Sequence, residues 1–426
     1  MKKGALKIYP KVFVAKKKQK IYLRCNSKYI GEGATLSIKI QPMEIHTVAH
    51  TSAYRVDEEE RYSYAKPERI GKDLYIVEYD FFEEQRYDVK VKLGEAIIYH
   101  THIYSVKEDL VEIDVFKGDT HLHTNRSDGQ GSPFEVGCAY RAAGYDFIAV
   151  TDHHLYQPSI EGKEIFEKLT DKFTVFKGEE VHNKGMGYLH IINFDGDFSV
   201  NKIIETRPDY VQKEVQRILQ TTDFTEGVAD KYDCAYRIFV SEQIRKGNGF
   251  AIMAHPYWDV YGEYHMPKAT VEYLLKHGYY DALELLAGCD IKGQNGNNLQ
   301  VALWENLRAR GVKIPVLGAS DSHSCIAKNS RFNKQYSLIF AKDTVGIKES
   351  IQAEMSVAVL MNDATNYFVF GQYRFVKYAR FLIDEYFPEY VRLTRKHALA
   401  LSQQNKEKIA KAEVEIDAYK KQFFGR

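Results

Sequence analysis

Residues 117–133 read KGDTHLHTNRSDGQGSP, and their reading decides what kind of fold the chain builds. The apolar run 111–116 in front of them predicts a strand, and alternate strand residues face the same side, so His121 and His123 converge on one point. Asp128 follows in a Ser-Asp-Gly turn that folds back toward the same place. Ser132-Pro133-Phe134-Glu135 then has the form of a helix start, a capping box with proline at the first position. One H-x-H is weak by itself, because His100 and His102 form another that reads as a surface pair. The first gains its meaning from residues further along the chain.

With 426 residues the chain is long enough for two or three domains and a large buried core. A hydrophobic fraction of 44% with 27% charged residues is that of a globular protein, and a net charge of +1 gives no general attraction to nucleic acid or anionic membranes. The tyrosines are spread along the chain and form no motif for stacking bases. No apolar run approaches the ~20 residues of a membrane span. Lysines at 7, 11 and 16–18 interrupt the apolar core that a signal peptide would need. The five cysteines are odd in number and never in a C-x-x-C pair, which points to a cytoplasmic, reducing setting and away from a thiolate zinc site.

Residues 1–110 alternate apolar and polar positions in short pieces between turn residues, which predicts an N-terminal β-sandwich of six or seven strands. From 111 to 362 the pattern becomes α/β: apolar runs at 111–116, 146–150, 174–177, 188–193, 250–254, 282–286 and 314–318 are separated mostly by helical segments. Seven such runs predict a parallel (β/α) barrel, with further strands near 336–341 and 357–360. The stretch 200–248 is a helical insertion with helices near 209–220 and 231–246, expected as a flap over the active face. Residues 363–426 read as a C-terminal helical extension in which Pro388 opens one long helix ending near Phe424. Its stripe of Ile409, Ala412, Ile416, Tyr419 and Phe423 would seat it on its own chain or make a homo-oligomer.

Against those strands the chemistry-bearing residues fall in order. His121 and His123 follow the first, Asp152 and His153 the second, Glu179 the third; His190 lies in the fourth, His255 ends the fifth, and Asp321 and His323 close the seventh. In a parallel barrel the carboxyl ends of the strands share one face, where active sites lie. A lone histidine near an apolar strand is more often structural than a ligand, but six of them with carboxylates on one face point to metal. His154, Glu180, His182 and Glu284 divide evenly between pocket and local structure. His46, His50, His265, His277 and His397 read as structural or solvated.

In this order D-x-H-x-H, S-D-G, T-D-H, G-E, a strand histidine, H-P and D-S-H resemble the motifs of the PHP (polymerase and histidinol phosphatase) superfamily, over residues 118–360. The added β-domain and the KGDTHLHTNRSDG form of the first motif are most similar to its carbaryl-hydrolase-like branch. The resemblance implies a distorted seven-stranded barrel holding two or three divalent ions. It implies that His121, His123, Glu179 and Asp321 hold the first ion and that Glu179 bridges to a second held with His190 and His255. Asp128, His153 and His323 would complete a trinuclear centre. Asp119 and Asp152 would orient the imidazoles.

Imidazole and carboxylate donors suit manganese, iron or zinc. The activity expected is hydrolysis of a small phosphate ester by a hydroxide shared between two ions held by Glu179 and Asp321, with His154 or His182 serving the leaving group. A net charge of about +2 at such a centre suits a phosphate dianion, and Arg126, Lys184 and Arg331 are further phosphate contacts. Two other readings stand beside it. One is a hydrolase of a neutral carbamate, ester or amide, with Tyr257, Trp258 and Tyr261 lining its pocket; the other is a metal-stabilised binding protein without catalysis. No specific nucleic-acid partner and no membrane partner is expected.

Overall fold

The computed structural model describes residues 6–26, 35–44, 63–183, 189–224, 227–260, 262–288, 294–327, 330–363 and 365–426. The chain divides into two compact units, Met1–Ile113 with Lys377–Leu393 and Glu413–Arg426, and Asp114–Val376 with Thr394–Ala412.

The first unit is built on strands β1 (Leu6–Tyr9), β2 (Val12–Val14), β3 (Lys18–Cys25), β4 (Leu36–Pro42), β5 (Ser63–Ala65), β6 (Glu68–Arg69), β7 (Leu74–Asp80), β8 (Gln85–Leu93) and β9 (Ala96–Val106). They form two sheets, in the orders β1-β3-β7-β6 and β2-β9-β8-β4-β5. Among the described residues the expected six or seven strands are nine, because β2, β5 and β6 are too short to show an alternation. Inward residues of both sheets, among them Ile21, Leu23, Val77, Ile38, Ile40 and Val89, make one core. His100 and His102 share one side of β9, and Asp88 stands opposite His102 on β8. Their partners here are Asp88 and Glu385, so this H-x-H serves a polar network in the first unit.

The second unit is a mixed α/β fold. Its strands are β10 (Asp114–Asp119), β11 (Phe147–Ala149), β12 (Thr174–Phe176), β13 (Gly178–Val181), β14 (Ile191–Phe194), β15 (Phe250–Met253), the small hairpin β16 (Asp259–Val260) and β17 (Glu263–Tyr264), β18 (Ala282–Leu286), β19 (Val316–Gly318), β20 (Gln335–Ala341), β21 (Ser356–Met361) and β22 (Tyr367–Gly371). The two large sheets run β12-β11-β10-β20-β21-β22 and β13-β14-β15-β18-β19. Among the described residues they are not joined into a closed ring of ladders; single bridges, Leu122↔Ser322 and His153↔Glu180, link them.

The strand directions depart from an all-parallel arrangement. β10, β11 and β12 are parallel, as are β15, β18 and β19, but β14 is antiparallel to both its neighbours. Nine residues separate β13 from β14. That is fewer than the dozen or so a parallel crossover requires, so the chain turns straight back.

Helix α1 (Pro133–Ala142) opens with the expected capping box: Glu135 N donates to Ser132 Oγ at 3.3 Å and Ser132 N to Glu135 Oε2 at 2.8 Å. α2 (Gln157–Glu167) follows, and the insertion supplies α3 (Val200–Thr206), α4 (Pro208–Thr221) and α5 (Lys231–Lys246). These three are not a loose flap. Val200, Val211, Val215, Ile218 and Phe239 share a core with Val181, Leu189, Ile191 and Met253, so the insertion is packed onto the β13–β15 sheet. α6 (Lys268–Lys276), α7 (Gln294–Ala309) and α8 (Ile347–Gln352) complete the unit's helices before β21.

The region read as helical from about 363 begins with β22, which pairs with β21. The single long helix is two, α10 (Phe387–Ser402) and α11 (Lys406–Phe424), after α9 (Tyr373–Glu385). The chain breaks between them where Gln404 takes a φ of +50°. Ile409, Ala412, Ile416 and Phe423 of the apolar stripe are buried in this chain. Among the described residues no helix is long and apolar enough to cross a membrane.

Inside the first unit, Lys11 Nζ lies 3.0 Å from Glu385 Oε2, and Glu385 also accepts from Thr101 Oγ1 at 2.9 Å and His102 N at 3.1 Å. Burial pushes this carboxyl up, but the bonds from His102 and the charge of Lys11 bring it down to about 2. A depressed carboxyl stabilises the fold above its unfolded value and loses that contribution as it protonates. Stability should therefore fall between pH ~4.5 and ~2 by at most about 3 kcal/mol, less the cost of burying Lys11. Thermal unfolding against pH checks this, and Glu385→Gln should flatten the slope in that window.

Candidate metal centre

Beyond the end of β10 the chain continues alongside the segment that follows β19. Asp321 N donates to His121 O at 2.8 Å and His123 N to Ser322 O at 2.9 Å, which fixes the H-x-H beside Asp321. Asp119, fully buried, accepts from His121 N (3.2 Å), Ser320 N (3.0 Å) and Tyr140 Oη (3.0 Å). It holds the backbone of both segments and not an imidazole, as does Asp152 on the other side. Asp152 accepts from Thr124 N (2.9 Å), Thr124 Oγ1 (2.7 Å) and Ser127 N (3.0 Å), ordering the turn that carries Asp128. Gly129 closes that turn so tightly that a Cβ there would stand 2.7 Å from the His123 carbonyl.

His190 reaches the same face from the opposite direction. It precedes β14, and because β14 is reversed, its amino end lies where its neighbours have their carboxyl ends. His154, His255 and Asp321 have φ of +60°, +23° and +47°. Such backbone conformations are costly for residues with a Cβ and gather at sites that require a fixed side-chain direction.

The carboxylate at the centre is Glu180, where Glu179 was expected. Successive residues of a strand face opposite sides, and β13 turns Glu180 toward the histidines and Glu179 away. Glu180 Oε2 lies 2.7 Å from His153 Nδ1, 3.5 Å from His121 Nε2, 3.6 Å from His123 Nε2 and 3.4 Å from His182 Nε2. Its Oε1 is 2.7 Å from His190 Nδ1 and 3.6 Å from His255 Nε2. Burial would raise this carboxyl, but the charges of His190 and His121 hold it well below the usual range.

Glu179 is consumed elsewhere. It accepts from Asn193 Nδ2 (3.0 Å), Ser199 Oγ (2.7 Å), Val200 N (2.6 Å) and Asn201 Nδ2 (3.0 Å), which ties the start of α3 to β13. Burial raises its carboxyl above the ordinary value, those bonds notwithstanding.

Around Glu180 the donors form adjoining groups. His121, His123 and Asp321 lie together: His123 Nε2 is 3.0 Å from Asp321 Oδ1 and 3.2 Å from His121 Nε2. His121 Nδ1 meets Glu284 Oε1 at 2.9 Å, which leaves Nε2 directed at the centre. His190 and His255 flank Glu180 on one side. On the other, Asp128 Oδ2 lies 3.4 Å from His153 Nε2 and 3.2 Å from His323 Nε2. The rings of His153 and His323 stack on His123 at 4.3 and 4.2 Å. Burial opposes ionisation of Asp128, but bonds from those two histidines hold it well below the carboxylate range.

These donors fit a cation. Both oxygens of Glu180 and the Nδ1 atoms of His123 and His190 are buried without a hydrogen bond of good geometry. Buried polar atoms are rarely left so, and a cation held among these oxygen and imidazole bases would satisfy them. His121, His123 and Glu180, and separately Asp128, His153 and His323 with His123, have ligand atoms within 4.8 Å of one another.

The other expected residues divide. Arg331 reaches the centre, but as a partner of Asp321, with Nη1 2.6 Å from its Oδ2. Arg126 is drawn away by Glu161, at 2.7 Å. Tyr257 is buried in the core with Met266 and Leu303, and it is Trp258 whose ring approaches His255 and His190, at 5.4 and 5.6 Å. His182 sits against the centre, burial pushing it down to about 4, and its ring is 4.5 Å from that of exposed His154. Lys184 and Tyr261 lie outside the described residues. Arg141 Nε donates to His397 at 3.0 Å, away from the site, and His265 packs 4.9 Å from the His190 ring.

No family model matches the chain. Among curated proteins it is similar to the DNA polymerase/3'-5' exonuclease PolX of Bacillus subtilis (strain 168), 42% identical over 53 residues, or 12% of this chain and 9% of that protein. Among solved structures it is similar to a two-domain protein containing a predicted PHP-like metal-dependent phosphoesterase from Bacteroides vulgatus: 20% identity, TM-score 0.40, 58% of this chain and 66% of that one. A protein from Bifidobacterium adolescentis with a predicted metal-dependent phosphoesterase assignment gives 16% identity and a TM-score of 0.38, over 55% of this chain and 95% of its own. The similarity is distant, and the match spans less than a tenth of PolX, so the chemistry has to be read from the side chains.

Two neighbouring substitutions separate the carboxylates. Glu180→Gln should lower the bound metal by about two ions in elemental analysis. Glu179→Gln should keep its metal and lose about 1–3 kcal/mol of stability, since it disturbs a buried hydrogen-bonded cluster. The opposite pattern would restore Glu179 to the centre.

Proposed function

We propose that the second unit is a PHP-type metal-dependent hydrolase that cleaves phosphate esters. The observation that carries this reading is Glu180, a buried carboxylate with neither oxygen in a good hydrogen bond and imidazoles on all sides. His121, His123, Glu180 and Asp321 would hold one ion, Glu180 with His190 and His255 a second, and Asp128, His153 and His323 a third. Manganese, iron and zinc all suit these donors. Ions held there supply Lewis acidity and a water acidic enough to be a nucleophile near neutral pH.

The chain's own residues fix the geometry. Glu284 sets the tautomer of His121, Arg331 holds the free oxygen of Asp321, and Asp152 orders the turn bearing Asp128. His154 and His182, whose rings lie 4.5 Å apart, would serve the leaving group. The two sheets and their two bridges fit a distorted, opened barrel of β10, β11, β13, β14, β15, β18 and β19. The cysteines Cys25, Cys138, Cys234 and Cys325, which form no disulfide, suit a reducing compartment such as the cytoplasm.

The test is a screen of phosphomonoesters, phosphodiesters and aryl carbamates with metal-loaded protein, alongside Asp128→Ala. That variant should lose about one ion and lower the site's charge by one unit, so phosphoester turnover should fall by at least tenfold. Good carbamate turnover with no phosphoester turnover, indifferent to Asp128→Ala, would put the neutral-substrate hydrolase in its place.

A further inference from the structure

Beside the centre lies a cavity of about 530 Å³ that the helical insertion creates. His154 and His182 line it, and His182 Nε2 is 3.4 Å from Glu180 Oε2, so the cavity borders the proposed reaction site. Its far wall comes from α3, α4 and α5, with Ile204, Val211 and Tyr236 among the lining residues. These side chains belong to or pack against the core that seats the insertion, so the wall is a fixed surface. Glu205 and Gln212, both exposed, complete the lining, and among the described lining residues there is no Lys or Arg.

We infer that this cavity is the leaving-group subsite and that it selects phosphate esters of uncharged, ring-bearing alcohols. The inference rests on the phosphoesterase reading. A phosphoryl group held at the centre would bring the rest of the ester within reach of this hollow, which offers apolar and tyrosine surface with a polar edge. Ligand sites of 300–1,000 Å³ with this mixture are typical for small organic groups. A second phosphate or a carboxylate on the alcohol would find no Lys or Arg among the described lining residues, so sugar bisphosphates and phosphorylated hydroxy acids are disfavoured.

Benzyl and methyl phosphate release alcohols of nearly equal acidity, so their ratio reads recognition and not intrinsic reactivity. For the full chain loaded with Mn²⁺, kcat/KM for benzyl phosphate should exceed that for methyl phosphate at least tenfold. In Gln212→Trp, which fills the cavity from an exposed helix position, that ratio should fall toward one. Glu205→Lys should raise turnover of 2-phosphoglycolate relative to benzyl phosphate. Calorimetry with benzylphosphonate and methylphosphonate gives a readout independent of turnover, and benzylphosphonate should bind at least tenfold tighter in the wild type and lose that advantage in Gln212→Trp. Equal binding of the two phosphonates, or a preference untouched by Gln212→Trp, overturns the subsite. Selective phosphonate binding with no phosphoester cleaved would leave the subsite standing and overturn the phosphoesterase alone.

Discussion

A carboxylate shut away from water without good hydrogen bonds is among the costliest groups a protein can bury, and Glu180 is such a group. Its presence is tolerable only because positive charge gathers around it. Most of the second unit's local geometry can be read as meeting that demand: β10 extended past its sheet to bring in His121 and His123, β14 reversed to bring in His190, and left-handed backbone at His255 and Asp321. The supporting carboxylates have other tasks. Asp119 and Asp152 secure backbone, and Glu284 secures a ring.

The sequence made much of this legible because metal ligation uses rare residue types in spaced motifs. His121, His123, His153, His255, Asp321 and His323, read from the sequence beside strand ends, lie together with His190 and with Asp128 from its turn. Glu179 against Glu180 was not legible. The choice turns on the register of a four-residue strand buried along its whole length, where no polar alternation marks the inner side. Arg126 looked like a phosphate contact because it stands between two ligands in sequence, but Glu161, one helix away, could not be foreseen as its partner.

The fold was legible to the same degree and for the same reason. Long buried runs such as 250–254 and 282–286 stand out by composition, and both are strands in the structure. Direction does not stand out, and the reversal of β14 follows from the length of a connection whose ends were uncertain by a few residues. α3 escaped notice because seven residues are too few to show a period, although Ser199 caps it through Lys202 N. The break between α10 and α11 was hidden because Gln404, which takes the left-handed conformation, is not a residue that announces it.

The pair Glu179–Glu180 poses a problem of registration. Two identical side chains in succession would let β13 slide by one residue and still present a carboxylate to the imidazoles, so their chemistry alone does not lock the strand. Gly178 does. A Cβ at that position would stand 2.9 Å from Val150 O and 3.0 Å from Thr151 Cγ2, so the slip that moves Glu179 into the place of Glu180 would set Lys177 there and force its side chain into the neighbouring backbone. A residue with no side chain thus acts as the detent that tells two equal carboxylates apart, one turned to the helices and one to the histidines.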